Sequence, residues 1–384
     1  MMKIPFYIPY YTGEELQYIQ EAMNKHQISG DGLYTDRITG LLEKKFQVKK
    51  AFMITSATHA LEIATMLIDL QPGDEVIMPS FTFPSTANAV LLRGAKPVFC
   101  EIDENTLNID PKKILEKITP KTKAIIPVHY AGIGCDMDKI MDIAKSHHLH
   151  VIEDAAQAVN AKYKDKYLGT WGDIGCYSFH GTKNFTSGEG GAILLNTNDE
   201  SLIKKVEMIR QKGTNRNQFV RGEIDAYTWM NIGSSYVPSD ILMAFLYAQL
   251  KGMDMIMMKR KKIHDYYCHH LKEYIDAGII KTAEFSKDYQ PNYHLFYLLF
   301  QEERIRDKVK QELMDRGIAT AIHFMPLHSS PMGQRLGYVK EDLPITEKTS
   351  ETLLRLPMYT SMSEKELDYV MGHLKSILKK IGEI

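Results

Sequence analysis

Short apolar segments that alternate with helical patterns between residues 50 and 200 are the strongest constraint on how this chain folds. Four strands and two helices are predicted there, the strands at 75–79, 97–102, 124–128 and 150–153 and the helices at 57–68 and 137–147. The strands are apolar on both faces, which is typical of a mostly parallel sheet that helices cover on both sides. Ligands of such sheets bind at the carboxyl ends of the strands, where His129 and Asp154 fall.

The pattern changes near residue 240. One long helix, or two in succession, is predicted at 240–274, and then come strands at 294–300 and 318–324, a helix at 305–316 and a closing helix from residue 363. A chain of 384 residues is longer than one ordinary domain. We therefore expect a large α/β domain with a mainly parallel sheet, residues 1–245, and a small C-terminal α+β domain, residues 246–384.

Composition and charge exclude several classes of function. The formal charge is −1, so no basic field favours nucleic acid. No apolar run reaches the roughly 20 residues that cross a bilayer, and the first residues lack a signal-peptide core. The four cysteines form no Cys-x-x-Cys motif, which argues against a metal site or a disulfide framework. A cytoplasmic location without a nucleic-acid or membrane partner is expected.

A lysine and an aspartate carry the predicted chemistry. Lys183 ends the string SFHGTK at 178–183, just before a glycine cluster at 188–191, and Asp154 follows the strand at 150–153. Lys183 is expected to form a Schiff base with pyridoxal 5'-phosphate (PLP), while the Asp154 carboxylate keeps the pyridine nitrogen protonated so that the ring accepts electrons. The alternatives are a surface lysine in a loop and an aspartate that caps a helix. The pair predicts a PLP-dependent aminotransferase.

Five further residues are candidates for binding this cofactor. Ala57 and Thr58 open a helix after a strand, where backbone N–H groups and the helix dipole suit a phosphate. Ser178 is placed to add a hydroxyl group to the same phosphate, and Gln157 can donate a hydrogen bond to the ring hydroxyl. Phe83 can stack on the pyridine ring. Simple helix capping by Ser56 or Thr58, and a core position for Phe83, are the alternatives.

Eight blocks spread over nearly the whole chain resemble the DegT/DnrJ/StrS family of sugar aminotransferases. They lie at 30–32, 56–61, 72–77, 82–89, 153–157, 178–183, 325–328 and 354–357. The resemblance implies fold type I of the PLP-dependent transferases, which is aspartate aminotransferase-like. It also implies a homodimer in which the neighbouring chain completes each active site.

Three segments are similar to one branch of that family, the transaminases that make dTDP-4-amino-4,6-dideoxygalactose. These segments are 128–132, 212–216 and 227–236. The similarity implies that dTDP-4-keto-6-deoxy-D-glucose accepts an amino group from L-glutamate, in the synthesis of a bacterial surface glycan. A gluco-forming or 3-ketosugar aminotransferase would share the same residues. A sugar dehydratase or an inactive binding protein is disfavoured, because Lys183 and Asp154 are both present.

Three residues of the polar stretch between 212 and 236 are assigned through this resemblance. Many members of the family have an asparagine that reaches the partner chain's cofactor phosphate, and Ser235 stands at that position here. Arg216 and Arg221 are candidates for the nucleotide diphosphate, with ordinary exposed arginines as the alternative.

Three histidines are candidates for the sugar pocket: His129, His323 and His328. A single histidine is more often a structural residue, and the family match favours His328 among the three. No arginine stands out as a receptor for a substrate carboxylate, so glutamate and the sugar are expected to occupy one pocket in turn.

Overall fold

The structure, a computed structural model, describes residues 2–382, and these form fourteen α-helices and twelve β-strands. The helices are α1 Glu15–Asn24, α2 Leu33–Phe46, α3 Ala57–Leu67, α4 Pro84–Leu91, α5 Pro111–Leu115, α6 Met137–His147, α7 Glu200–Arg210, α8 Arg216–Val220, α9 Asp240–Lys251, α10 Met253–Asp276, α11 Glu303–Met314, α12 Pro331–Arg335, α13 Pro344–Thr352 and α14 Glu364–Gly382. The strands are β1 Lys50–Ile54, β2 Glu75–Pro79, β3 Lys96–Cys100, β4 Thr122–Ile125, β5 His150–Asp154, β6 Lys162–Tyr163, β7 Lys166–Tyr167, β8 Ile174–Ser178, β9 Gly191–Leu195, β10 Tyr289–Gln290, β11 Phe296–Leu299 and β12 Leu353–Leu356.

A seven-stranded sheet in the order β1-β9-β8-β5-β4-β2-β3 forms the centre of the larger domain. Only β9 runs antiparallel to its neighbours β1 and β8, and the other pairs in this sheet are parallel. This arrangement confirms the predicted α/β class with a mainly parallel sheet. The carboxyl ends of β1, β5 and β8 meet the amino end of β9 at one edge of the sheet, because β9 is reversed.

Separate hydrophobic cores cover the two faces of this sheet, which explains why its strands are apolar throughout. In β9, Ala192 and Leu194 pack into the core that contains α2, α6 and α9, whereas Ile193 and Leu195 pack into the core of α3 and α4. Successive side chains of a strand point to opposite faces, so both sets are buried. Each fully buried aliphatic side chain of this kind contributes roughly 1.5–3 kcal/mol.

A smaller core joins the C-terminal helices to the antiparallel β11–β12 pair and to the start of the chain. Tyr267 of α10, Phe296 of β11 and Leu374 of α14 are buried in it. Ile4 belongs to the same core and pairs in parallel with Ile318. The N-terminal segment therefore packs on the C-terminal half of the chain, which brings Phe6 toward the larger domain.

The stretch predicted at 240–274 is two helices, α9 and α10, bent by 62° at Gly252. Residues of α9 and the start of α10, as far as Ile256, pack into the large-domain core, and the rest of α10 packs into the small one. The predicted division after residue 245 falls within α9, and the division itself stays a prediction. Within residues 2–382, no single helix has the length and apolar composition to cross a membrane; the bent pair meets these criteria by length and composition only.

The prediction of a strand at 318–324 is wrong, because this segment forms only isolated bridges. Ile318 pairs with Ile4 and Ala321 pairs with Arg355, each as an isolated bridge. Ile318 and Ala321 therefore pair with different segments, so residues 318–324 form no continuous ladder with a single neighbouring strand.

The glycine block at 30–32 has a structural role at the start of α2. The Asp240 carboxylate of α9 accepts hydrogen bonds from the backbone N–H groups of Tyr34 and Thr35, at 3.0 and 2.8 Å. This satisfies free donors of the first helical turn. A Cβ atom on Gly32 would lie 2.7 Å from the Asp240 carboxylate, so only glycine permits this approach. Next to it, Asp31 binds Arg210 at 2.7 Å.

Candidate active site

A cavity of about 420 Å³ lies at the edge of the sheet where β1, β5 and β8 end. Its wall comes from the ends of the central strands, from β12 and from the N-terminal segment. The sequence-predicted residues that line it are Ala57, Thr58, Phe83, Asp154, Gln157, Ser178, Lys183 and His323. The cavity also contains Phe6, Tyr7, His180, Glu189, His294 and Arg355, which the sequence did not single out as binding residues.

The Lys183 amine faces this cavity in a buried environment. Burial lowers its pKa from 10.5 to about 8; the nearby Asp154 carboxylate opposes this shift, and Arg355 adds to it. Desolvation disfavours the charged form of a lysine, so the neutral amine is populated at a lower pH than usual. A neutral amine can attack an aldehyde and accept a proton, as the predicted chemistry requires.

Asp154 ends β5, beside β8, and its carboxylate is buried. Burial raises its pKa, while hydrogen bonds from the Thr86 hydroxyl at 2.8 Å and the Ala156 backbone N–H at 3.2 Å act in the opposite direction. No helix begins at Asp154, so its role is not that of a helix cap. Thr82, 2.8 Å from Thr86, extends this hydrogen-bonded chain. The arrangement holds one carboxylate in place against the cavity.

The amino end of α3 offers a place for an anion. The Ser56 hydroxyl caps the helix by accepting a hydrogen bond from the His59 N–H at 3.1 Å. The N–H groups of Ala57 and Thr58 lie in the first turn and have no intrahelical partner. A Cβ atom on Gly191 would collide with the Ser56 backbone, so the start of β9 must be glycine for the two segments to meet. The capping role thus belongs to Ser56, and the following N–H groups stay available.

Three other predicted cofactor residues also have side chains at the wall. Gln157 accepts a hydrogen bond from the Ala131 N–H at 2.8 Å through its amide oxygen, which leaves its amide nitrogen as a donor. Phe83 is 60% exposed on the cavity, so the alternative of a core position does not hold. The Ser178 hydroxyl accepts a bond from the His180 N–H at 3.3 Å and keeps its own proton for another acceptor.

Two of the three candidate histidines lie outside the cavity. His129 is fully buried: its Nδ1 accepts the Cys135 N–H at 3.2 Å, so its Nε2 carries the proton and donates to Glu153 at 2.9 Å. His328 is also fully buried, with Nδ1 2.8 Å from the Ser80 hydroxyl and Nε2 3.3 Å from the Lys340 carbonyl. The structure therefore corrects these two assignments, because both ring nitrogens of each are used in internal contacts.

The third histidine, His323, lines the cavity. Burial lowers its pKa to about 2, and the charges of Arg355 and Lys183 act in the same direction. Its Nδ1 is 3.3 Å from the Tyr130 hydroxyl. His323 is thus a neutral hydrogen-bonding group at neutral pH.

The residues assigned to the diphosphate and to the partner's phosphate do not reach the cavity of their own chain. Arg221 binds Glu207 at 2.9 Å and Glu223 at 2.6 Å. Arg216 and Ser235 are exposed, and none of the three assigned residues lines the cavity. Within one chain, the structure leaves these assignments as predictions.

These residues fit PLP. The buried amine can bind an aldehyde, the buried carboxylate can neutralise a pyridinium nitrogen, the start of α3 can hold a phosphate, and Phe83 presents an aromatic face. Each group is available for this without breaking a contact that holds the fold together.

We expect the Lys183 amine to titrate near pH 8 in the cofactor-free protein, because burial lowers its pKa to about 8. Competitive acetylation of the protein at a series of pH values, read by peptide mass spectrometry, measures the fraction of neutral amine. Labelling at Lys183 should rise through pH 8, well below the midpoint of the exposed lysines in the same sample. A midpoint equal to theirs would contradict the burial argument.

Known proteins similar to this chain share both its sequence pattern and its fold. The sequence model of the DegT/DnrJ/EryC1/StrS aminotransferase family matches residues 9–375. The spore coat polysaccharide biosynthesis protein SpsC of Bacillus subtilis is 35% identical, over 98% of this chain and 97% of its own length. GDP-perosamine synthase of Escherichia coli O157:H7 is 34% identical, over 96% of this chain and 97% of its own length.

Among solved structures, the putative sugar aminotransferase Spr1654 of Streptococcus pneumoniae in its PMP form superimposes with a TM-score of 0.92. It is 27% identical, and the match covers 99% of this chain and 98% of that one. The same protein has also been solved in a PLP form. The family model and these relatives show that this chain belongs to the DegT/DnrJ/EryC1/StrS aminotransferase family and is a PLP-dependent sugar aminotransferase.

Proposed function

We propose that this enzyme transfers the amino group of L-glutamate to dTDP-4-keto-6-deoxy-D-glucose. The products are dTDP-4-amino-4,6-dideoxy-D-galactose and 2-oxoglutarate. The observation that carries this choice of sugar is the likeness of 128–132, 212–216 and 227–236 to the branch that makes this aminosugar.

The segment 128–132 supports a sugar as the substrate. Val128 lines the cavity, and Tyr130 holds His323 through its hydroxyl group. Because His323 is neutral at neutral pH, its Nε2 can bind a sugar hydroxyl without attracting a carboxylate or a phosphate. Such neutral groups suit an uncharged pyranose ring.

Lys183 and Asp154 have different roles in the proposed reaction. Bound PLP supplies an electron sink for the pair of electrons left when the substrate carbon loses its proton. Lys183 Nζ takes the α-proton of glutamate in the first half of the reaction and returns a proton to the sugar carbon in the second. Asp154 stabilises the positive charge on the ring nitrogen throughout. Which face of the sugar Lys183 approaches decides between the galacto and gluco products.

A second candidate sugar is a GDP-linked 4-keto-6-deoxyhexose. GDP-perosamine synthase is 34% identical to this chain over nearly its whole length, which favours a GDP-linked substrate. The residues that bind the cofactor would be the same for both sugars. Gluco-forming and 3-ketosugar aminotransferases are related alternatives for the same reason.

The decisive experiment incubates the purified enzyme and glutamate with dTDP-4-keto-6-deoxyglucose, the GDP-linked 4-ketosugar, or a dTDP-linked 3-ketosugar. We expect turnover with the dTDP-linked 4-ketosugar, with an axial amino group at C4 in the NMR spectrum of the product. The enzyme with Lys183→Ala is the control and should make no product. Turnover with only the GDP-linked or the 3-keto sugar, or a gluco product, would contradict the proposed substrate or stereochemistry.

We also propose that the enzyme is a homodimer with shared active sites. Residues 211–235 form an ordered extension, held by backbone bonds such as Lys212 N–H to the Ser234 carbonyl at 2.9 Å. Its apolar side chains are exposed nevertheless, with Trp229 at 77%. The exposed set is Phe219, Val220, Tyr227, Trp229, Met230 and Ile232. Monomeric proteins rarely expose such a patch, so a second copy is expected to cover it.

This dimer would explain why Ser235 and the two arginines lie outside the cavity of their own chain. In the dimer, Ser235 is proposed to reach the phosphate site at the start of the partner's α3, and Arg216 and Arg221 the diphosphate. A cytoplasmic location is proposed as well, because all four cysteines are free thiols.

Trp229→Glu should shift the protein from dimer to monomer in sedimentation velocity and lower turnover by about tenfold or more, since a buried charge at an interface is costly. Met258→Glu, which places the same charge at an exposed apolar position on α10, is the matched control and should stay dimeric. A wild-type protein that is monomeric and fully active would contradict the shared site.

A further inference from the structure

One guanidinium group in the cavity has no hydrogen-bond or ion-pair partner among residues 2–382. Arg355 of β12 lines the cavity, and its Nε is shielded from solvent without a hydrogen-bond partner within residues 2–382. Its guanidinium carbon lies 4.8 Å from the centre of the Phe6 ring, so the N-terminal segment supports it from one side. Burial lowers the pKa of Arg355, and Tyr130 acts in the opposite direction.

The charges around Arg355 are unbalanced. The charge of Arg355 acts on two other buried cations, Lys183 and Arg260, whereas the buried Asp154 carboxylate acts on Lys183. Arg260 donates to the carbonyl groups of Tyr293 and His294, so its hydrogen-bonding capacity is already engaged. Arg355 is therefore the guanidinium in this cluster that is left for an anion. An unpaired buried charge is costly, which favours a ligand that brings the opposite charge.

We propose that Arg355 is the receptor for the carboxylate of the amino donor, a proposal that rests on the proposed transfer from glutamate. The planar guanidinium matches a carboxylate with two parallel hydrogen bonds. The start of α3 already serves the cofactor phosphate. Arg355 thus acts as a specificity residue for the first half of the reaction.

The chemistry of the two substrates distinguishes this role from binding of the nucleotide diphosphate. In an amino acid the α-carboxylate is bonded directly to the carbon that loses its proton, so it must lie deep in the cavity beside Lys183. In the ketosugar the reacting carbon is C4, and the diphosphate is attached across the ring at C1. Arg355 is close enough to Lys183 for its charge to affect the pKa of the amine. This proximity matches the carboxylate and not the diphosphate.

The second half of the reaction should not need this cation, because the sugar ring brings no charge to the inner cavity. Phe6 then keeps the guanidinium in place by stacking on it. A loss confined to the donor half of the reaction is accordingly the signature of the proposed role. A merely structural arginine would affect both halves alike.

The test compares Arg355→Lys and Arg355→Met with the wild type, all loaded with PLP. Calorimetry measures the binding of glutarate, a dicarboxylate that lacks the amino group and does not react. The donor half-reaction is followed as the loss of yellow colour with glutamate. The sugar half-reaction is followed with enzyme loaded with pyridoxamine phosphate and given dTDP-4-keto-6-deoxyglucose. Arg335→Met, at an exposed position on α12, is the matched control.

Arg355→Met should weaken glutarate binding and raise the glutamate concentration for half-maximal rate by about 30-fold or more, with Arg355→Lys intermediate. The sugar half-reaction should change by less than about threefold, and Arg335→Met should change neither. Unchanged glutarate binding, or equal losses in both half-reactions, would overturn the role of Arg355. A wild-type enzyme that stays yellow with glutamate would instead contradict the proposed donor, and one that bleaches but does not react with the sugar would contradict only the proposed sugar.

Discussion

Burial of a lysine amine and an aspartate carboxylate in one cavity is the constraint on which the rest of this enzyme depends. Low polarity lowers the pKa of Lys183 to about 8 and raises that of Asp154. The fold holds the two together because β5 and β8 are parallel neighbours whose carboxyl ends meet at the same edge. Thr86 counters the cost of burying the carboxylate by donating a hydrogen bond to it. The Lys183 amine can therefore bind the aldehyde of a cofactor whose pyridinium nitrogen the Asp154 carboxylate neutralises.

The remaining wall of the cavity is assembled from parts of the chain that are far apart in sequence. Phe6 comes from the N-terminal segment and Arg355 from the small domain, and both face the large-domain pair. Among residues 2–382 no carboxylate pairs with Arg355, which is consistent with the proposed role of Arg355 toward a substrate carboxylate. The apolar side chains around Trp229 are also exposed, which is consistent with the proposed homodimer.

Local pattern was enough to predict four of the seven strands of the sheet (β2 to β5), the helices α3 and α6, and the placement of Lys183 and Asp154 near strand ends. Local pattern did not predict correctly where the side chains of His129 and His328 lie. Whether a histidine faces a cavity or a buried partner such as Glu153 depends on tertiary packing, which short motifs do not encode. Arg355 was overlooked for a related reason: its block was recognised, but the contacts that leave it unpaired come from remote segments.

The most direct test of the central claim is the protonation state of the cofactor's ring nitrogen. NMR of the enzyme loaded with nitrogen-labelled PLP should show a protonated ring nitrogen at neutral pH in the wild type. The proton should be lost in Asp154→Asn, which keeps the shape of the side chain and removes its charge. An unprotonated nitrogen in the wild type, or a protonated one in the variant, would contradict the assignment of Asp154 as its partner.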